Sequence, residues 1–363
     1  MGKEWVEIKT LGEGGQGRVT LVRLEGQKDS LDGIIESIRL LERSSNSQVK
    51  KKAREDLGAN LTEFIRDGPK VAAKKQILHP NEESISRLKR EAEVYESISD
   101  PHLLKILDKD IPANWIVTEY QPNGTLEDQI KKYYGDAWSA IAAIRPLVSV
   151  LARLHDARFV HRDFKPSNIF VGRSGELVLG DAGLAFYKDD SQRVTQTYEN
   201  VGTRDYMPAW AYSRRLKDIN PTFDVFSLGK VLWAMIAGEP ACPLWYVLKP
   251  ENDLTTRFPD RIEMLWVNEL FMKCVVQEEN EMKTRNAGDL LKVIDAVLPA
   301  MQARGVPPTK VLQLRSCRVC FIGTYVEDNA GHRGSITYPT GHCFRCDRCG
   351  HLEFFMTSAM TKA

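Results

Sequence analysis

The sequence predicts an α+β chain of two lobes, a small strand-rich lobe and a larger helical one, followed by a small cysteine-bearing unit. Three observations carry this. Short strand-like runs fill the first 120 residues: Trp5-Val6-Glu7-Ile8, Val19-Thr20-Leu21-Val22, Val71-Ala72-Ala73-Lys74, Leu104-Lys105-Ile106-Leu107 and Trp115-Ile116-Val117-Thr118. Later, apolar residues recur at helical spacing, as at Ile141, Ile144, Leu147, Val148, Leu151 and Leu154. A breaker-rich stretch, Arg304-Gly305-Val306-Pro307-Pro308-Thr309, then separates off a segment that holds five of the 7 cysteines. The expected units are residues 1–303, a linker at 304–310 and a small unit at 311–363.

Composition fits this division. A chain of 363 residues exceeds the roughly 250–300 over which one core usually grows. A net charge of +1 supplies no global field for nucleic acid or membrane. No apolar run in the sequence reaches the ~20 residues of a membrane span, and Met1-Gly2-Lys3-Glu4-Trp5 opens no signal-peptide core. The expected compartment is the cytoplasm.

Along the chain, the first two strands flank Gly12-Glu13-Gly14-Gly15-Gln16-Gly17. Glycine lets a backbone approach a phosphate and point N–H groups at it. A strand follows rather than a helix, which argues against a dinucleotide-binding turn. Residues 26–68 carry two helical stripes, Leu31, Ile34, Ile35, Ile38, Leu41 and then Leu57, Leu61, Phe64, Ile65, broken at Ser44-Ser45-Asn46-Ser47. This predicts a helical hairpin inserted in the small lobe, either a neutral solvated insertion or a docking element. Lys74 ends the third strand. The next helix, Ser84 to Ser97, has Glu91 on its flank.

The chemistry concentrates in His161-Arg162-Asp163-Phe164-Lys165-Pro166-Ser167-Asn168. A carboxylate, an ammonium two positions on and an amide five positions on can orient a hydroxyl, neutralise a phosphoryl group and hold a divalent cation. A further strand, Leu177-Val178-Leu179-Gly180, leads into Asp181-Ala182-Gly183. Asp224-Val225-Phe226-Ser227-Leu228-Gly229 opens a helix, where Asp224 suits an N-cap.

In this order the motifs resemble those of protein kinases. The stretch at 161–168 matches the catalytic loop H-R-D-x-K-x-x-N, Asp181-Ala182-Gly183 matches D-F-G with alanine for phenylalanine, and Val71–Lys74 matches V-A-I-K. The resemblance covers about residues 5–303 and implies the bilobal protein-kinase fold, ATP and Mg2+, and serine/threonine protein kinase activity. It implies that Lys74 contacts the phosphates and pairs with Glu91, with Glu93 the alternative, and that Asn168 and Asp181 hold Mg2+. Asp163 would orient the substrate hydroxyl, and Lys165, the serine/threonine form of that position, would neutralise the γ-phosphate. It also assigns Gly12, Gly14, Gly17, Val19, Ala72 and the backbone of Glu119 and Gln121 to the nucleotide, Thr118 to the guard of the pocket, and Thr203 to the catalytic set. Asp224 would accept backbone hydrogen bonds from the catalytic loop.

The chain departs from the family pattern in places. Ala182 removes the phenyl ring of D-F-G. In Gly202-Thr203-Arg204-Asp205-Tyr206-Met207-Pro208-Ala209-Trp210, Trp210 replaces the glutamate that pairs with a late arginine, here Arg285, and stacking of Trp210 on Arg285 is the expected substitute. Arg162 resembles the arginine that binds a phosphorylated loop residue. Glu199 stands at that loop position, with Thr197 as the alternative acceptor.

The C-terminal unit reads differently. Cys317-Arg318-Val319-Cys320 and Cys346-Asp347-Arg348-Cys349 are two C-x-x-C turns, able to close a tetrahedral Zn2+ site. The pattern resembles a zinc ribbon, and so small a unit needs such a staple. Cys343, His342 and His351 are rival ligands. Partner docking is the expected role of this unit and of the 26–68 insertion, with nucleic acid a weaker alternative carried by nearby arginines. Two rivals to the kinase reading remain at this level. One is a pseudokinase scaffold, opposed by the complete set of phosphate- and metal-handling residues. The other is a small-molecule phosphotransferase, opposed by Arg162, Lys165 and Gly202-Thr203.

Overall fold

The computed structural model describes residues 4–14, 17–26, 30–67, 71–182, 186–187, 204–211, 220–239, 252–302, 325–327, 341–346 and 352–356. The chain divides into two compact units, one formed by residues 1–96 and 104–120, the other by residues 97–103 and 121–363.

The first unit is a five-stranded antiparallel sheet. Its strands are β1 (Trp5–Gly14), β2 (Gly17–Leu24), β3 (Ala72–Gln76), β4 (Ile106–Asp110) and β5 (Trp115–Glu119), in the order β1-β2-β3-β5-β4. The fourth strand starts later than the sequence predicts, because Leu103 is drawn into a bridge with Leu179 of the second unit's own strands. One sheet face packs Val22, Ala72 and Val117 together, with Trp5, Leu107 and Trp115 around them. The predicted insertion is a helical hairpin, α1 (Ser30–Arg43) and α2 (Ser47–Asp67). Asn46 caps α2 by accepting the N–H groups of Gln48 and Val49. The helices touch closely at Gly33, where a Cβ would lie 2.6 Å from the Asn60 side chain. After β3 comes α3 (Glu82–Ser97), capped by reciprocal hydrogen bonds between Asn81 and Ser84.

The second unit is built on α4 (Ala137–Asp156), started by the Asp136 carboxylate on the N–H of Ser139. By length and composition alone α4 would suffice to cross a bilayer, though Arg145 and Arg153 interrupt its apolar run. Here it is a core helix: Ile141, Ile144, Leu147, Val148 and Leu151 are fully buried, and its Arg145 and Arg153 pair with Asp295 and Asp100. Short strands follow: β6 (Phe159–Val160), β7 (Ile169–Val171), β8 (Leu177–Leu179) and β9 (Phe186–Tyr187), pairing β6 with β9 and β7 with β8. Then come α5 (Thr222–Ala237), α6 (Leu254–Arg257), α7 (Met264–Cys274) and α8 (Ala287–Gln302). Every residue of α5 is buried, and Gly238 ends it at φ 69°, the left-handed cap that glycine favours.

A three-stranded antiparallel sheet closes the chain, with β10 (Tyr325–Glu327), β11 (Gly341–Cys346) and β12 (Leu352–Met356) in sequence order. Cys343 and Cys346 lie on the central strand, whereas Cys317, Cys320 and Cys349 fall outside the described residues. So do Thr203, Thr197 and Glu199.

Candidate active site

The loop between β6 and β7 carries the predicted catalytic residues, and the structure brings them together. Lys165 Nζ donates to Asp163 Oδ2 at 2.8 Å. Asn168 Nδ2 donates to the same oxygen at 2.8 Å and to the Asp163 carbonyl at 2.9 Å. Both Asn168 amide hydrogens are thereby committed, and its carbonyl oxygen is the group left for a cation. No described group donates to Asp163 Oδ1, although the residue is only 7% exposed.

This loop is strained and is held from below. Arg162 sits at φ 67°, a conformation that side chains other than glycine rarely adopt. Asp224, fully buried at the start of α5, accepts the N–H of His161 at 2.7 Å and the N–H of Arg162 at 2.8 Å. His155 Nε2 approaches the same carboxylate at 2.9 Å, while His155 Nδ1 accepts the N–H of Ala287. With Nδ1 accepting, Nε2 is the nitrogen that donates to Asp224. Burial pushes the Asp224 carboxyl up, but the His155 and Arg162 hydrogen bonds and the neighbouring histidines outweigh it and hold it below the usual carboxylate range. The role expected of Asp224 is therefore visible in its contacts.

Asp181 is tied to this loop. Gly180 donates its N–H to the carbonyl of Asn168 at 2.9 Å, and its own carbonyl lies 3.2 Å from His161 Nε2. Asp181 itself takes φ 48°. Two oxygen-bearing side chains, the Asn168 amide and the Asp181 carboxylate, thus stand on adjacent, mutually bonded segments and are of the type that could hold Mg2+. Ala182 is fully buried where the family pattern has a phenyl ring. Trp210 packs against Val160, Met207, Ala211 and Phe223. The guanidinium of Arg285 reaches the carbonyl of Glu279 at 3.5 Å. Trp210 thus fills the apolar floor beneath β6.

In the first unit one assignment must be corrected. Glu91 is paired with Lys75, not Lys74: Lys75 Nζ lies 2.7 Å from Glu91 Oε2. Lys74 Nζ stands 5.2 Å over the Trp115 ring instead. Side chains alternate along a strand, so adjacent lysines must face opposite ways. The register pairs Lys75 with Val19, which places Val19 on the lysine's face. Ala72 falls in the Val22–Val117 cluster of the other face, so Ala73 replaces it beside Lys75. The template itself favours the other lysine, since Val71–Lys74 matches V-A-I-K at three positions and Ala72-Ala73-Lys74-Lys75 at only two.

The glycines of the β1–β2 hairpin separate into two kinds. Gly17 is required by the protein itself: it has φ 123°, and a Cβ there would lie 2.3 Å from the Gln76 carbonyl oxygen. Among the described residues, nothing lies within 4 Å of a Cβ built on Gly12 or Gly14. Internal packing does not call for those two glycines, and the open space beside them suits a close approach by a phosphate. Thr118 is 7% exposed in β5. The N–H of Glu119 is bound to the Lys105 carbonyl, and Gln121 opens the second unit's main segment.

Comparison with known proteins agrees with this geometry. The family model described as protein kinase domain matches residues 60–295, well over half of the chain. Aurora kinase A-A of Xenopus laevis is 30% identical over 158 residues, 42% of this chain and 37% of the relative. A probable serine/threonine-protein kinase of Clostridium perfringens is 29% identical over 59% of this chain and 32% of its own length. Serine/threonine-protein kinase PAK 1 of Mus musculus is 27% identical over 66% of this chain and 45% of the relative. The chain thus spans only about a third to a half of the curated relatives it matches. On the strength of the matched segment and of the motifs in their folded places, the chain belongs to the protein kinase domain family.

Proposed function

We propose that this chain is an ATP-dependent serine/threonine protein kinase. The observation that carries the proposal is the Asp163–Lys165–Asn168 cluster, closed by hydrogen bonds of 2.8 Å and braced by Asp224. Asp163 Oδ1 accepts the proton of a serine or threonine hydroxyl as that oxygen attacks the γ-phosphorus. The bond from the γ-phosphorus to the β–γ bridging oxygen breaks, and ADP leaves. Lys165 offsets charge on the transferring group. Asn168 and Asp181 would hold Mg2+, which when bound neutralises the phosphate oxygens. Lys75, oriented by Glu91, supplies a cation to the phosphates, and Gly12 and Gly14 admit them to the hairpin backbone. The test is incubation of the purified protein with γ-labelled ATP and a protein substrate, followed by phosphoamino acid analysis. Label in phosphoserine or phosphothreonine supports the reading. Label confined to a small molecule favours a small-molecule phosphotransferase, and no transfer favours a scaffold.

The C-terminal cysteines form part of the proposal. Cys317, Cys320, Cys346 and Cys349 would bind one Zn2+ in a closed structural site, and the unit would dock protein partners. Their paired C-x-x-C spacing and the small sheet that carries Cys346 support this. Metal analysis should find about one zinc per chain, lost in the Cys317→Ser/Cys346→Ser variant. Zinc retained there would pass the site to Cys343 or a histidine. The 26–68 hairpin is a second docking element in this reading, supported by Ile35 and Ile38, which stay 40% and 43% exposed.

A further inference from the structure

The side chain of Glu91 is 5% exposed, and a buried carboxylate must be satisfied on both oxygens. Lys75 takes Oε2. The other oxygen, Oε1, accepts the hydroxyl of Tyr95 at 3.1 Å. Tyr95 lies four residues after Glu91, one turn along the same face of α3, and is itself only 5% exposed. Its ring is therefore fixed by packing, and its hydroxyl has a defined place. We propose that Tyr95 is a positioning residue for phosphoryl transfer. By holding Oε1, it sets the Glu91 carboxylate in the rotamer that presents Oε2 to Lys75.

This latch lies wholly within the first unit. Glu91 and Tyr95 belong to one helix, so the hydrogen bond ties the carboxylate to α3 itself. Without the hydroxyl, the Glu91 side chain would regain rotamer freedom, and Lys75 would lose part of its orientation. The D-F-G position of this chain carries Ala182 instead of a phenyl ring. An internal anchor on α3 gives the Lys75–Glu91 pair a source of order that does not depend on such a ring.

The inference rests on the kinase reading, and its test separates the two. Tyr95→Phe keeps the ring and removes only the hydroxyl. Loss of this hydrogen bond should lower kcat/KM for ATP roughly 5- to 20-fold, that is about 1–1.8 kcal/mol. KM for the peptide should be unchanged. In a Glu91→Gln background the same substitution should cost less than about 2-fold, because the charged acceptor is gone. A merely structural tyrosine would give equal losses in both backgrounds. Equal losses, or wild-type kcat/KM in Tyr95→Phe, would overturn the proposal. If the wild-type protein transfers no phosphate, the kinase reading fails instead, and the same cycle is read from the Kd of Mg-ATP, with the same pattern required.

Discussion

Exchanging each of the two adjacent lysines for methionine gives opposite predictions. Lys75→Met removes the cation paired with a carboxylate that is 5% exposed, while the Tyr95 hydroxyl bond stays. Breaking a buried ion pair costs about 3–5 kcal/mol, and the 21% exposure of Lys75 places this case near the lower end. About 3 kcal/mol of lost positioning corresponds to roughly a 100-fold fall in rate, before any direct loss of contact with the phosphates. Lys75→Met should therefore reduce kcat/KM for ATP by at least about 100-fold. Lys74→Met removes only the contact over Trp115 on the other sheet face, worth about 0.5–1 kcal/mol of stability. Its kcat/KM should stay within about 3-fold of wild type. Steady-state kinetics and urea midpoints on the two variants measure both quantities. An inactive Lys74→Met beside an active Lys75→Met would refute the strand register and the roles drawn from it.

Two further substitutions probe the scaffold. Asp224→Asn keeps the shape but sets an NH2 group against a donor, so it should cost about 3–5 kcal/mol in denaturant unfolding and release the strained Arg162 turn. Because the Asp224 carboxyl is held below its unfolded value, its contribution is full above about pH 4 and fades as pH falls through the lower folded value. The stability difference between wild type and Asp224→Asn should narrow in acid, and a gap that widens there would contradict the assignment. Gly17→Ala should destabilise by about 2–4 kcal/mol, since its Cβ would meet the Gln76 carbonyl. Gly14→Ala should leave unfolding within about 0.5 kcal/mol and weaken Mg-ATP binding, which calorimetry would measure.

The second unit's site was legible because its chemistry is packed into contiguous motifs. Asp163, Lys165 and Asn168 share one loop, so their spacing alone fixes which groups can meet. Asp224 was legible because its motif opens a helix. The first unit's site was harder because it depends on strand register. A shift of one residue moves a side chain to the other face, and the better local match, ending at Lys74, is the lysine that does not meet Glu91. Tyr95 falls at the helical spacing of the buried Leu88 and Ala92, so its sequence position reads as core. Its hydroxyl gains a role from the fold, which sets it 3.1 Å from Glu91 Oε1 one turn away. The packing of Trp210 on Val160 and Phe223 is tertiary, and no local pattern announces it. The helical spacing at Ile141–Leu154 made α4 legible as a core helix, while the ion pairs of its Arg145 and Arg153 with Asp295 and Asp100 are tertiary.

The central claim is that Asp163, held by Lys165, Asn168 and the Asp224-braced loop, serves phosphoryl transfer to serine or threonine. The most direct measurement compares wild type and Asp163→Asn for label transfer from γ-labelled ATP to a protein substrate, with the Kd of Mg-ATP measured on the same preparations. The account predicts a fall in kcat of about 1,000-fold or more with Kd within about 3-fold of wild type, because the proton acceptor is lost while the phosphate contacts remain. Transfer by Asp163→Asn at the wild-type rate would contradict it.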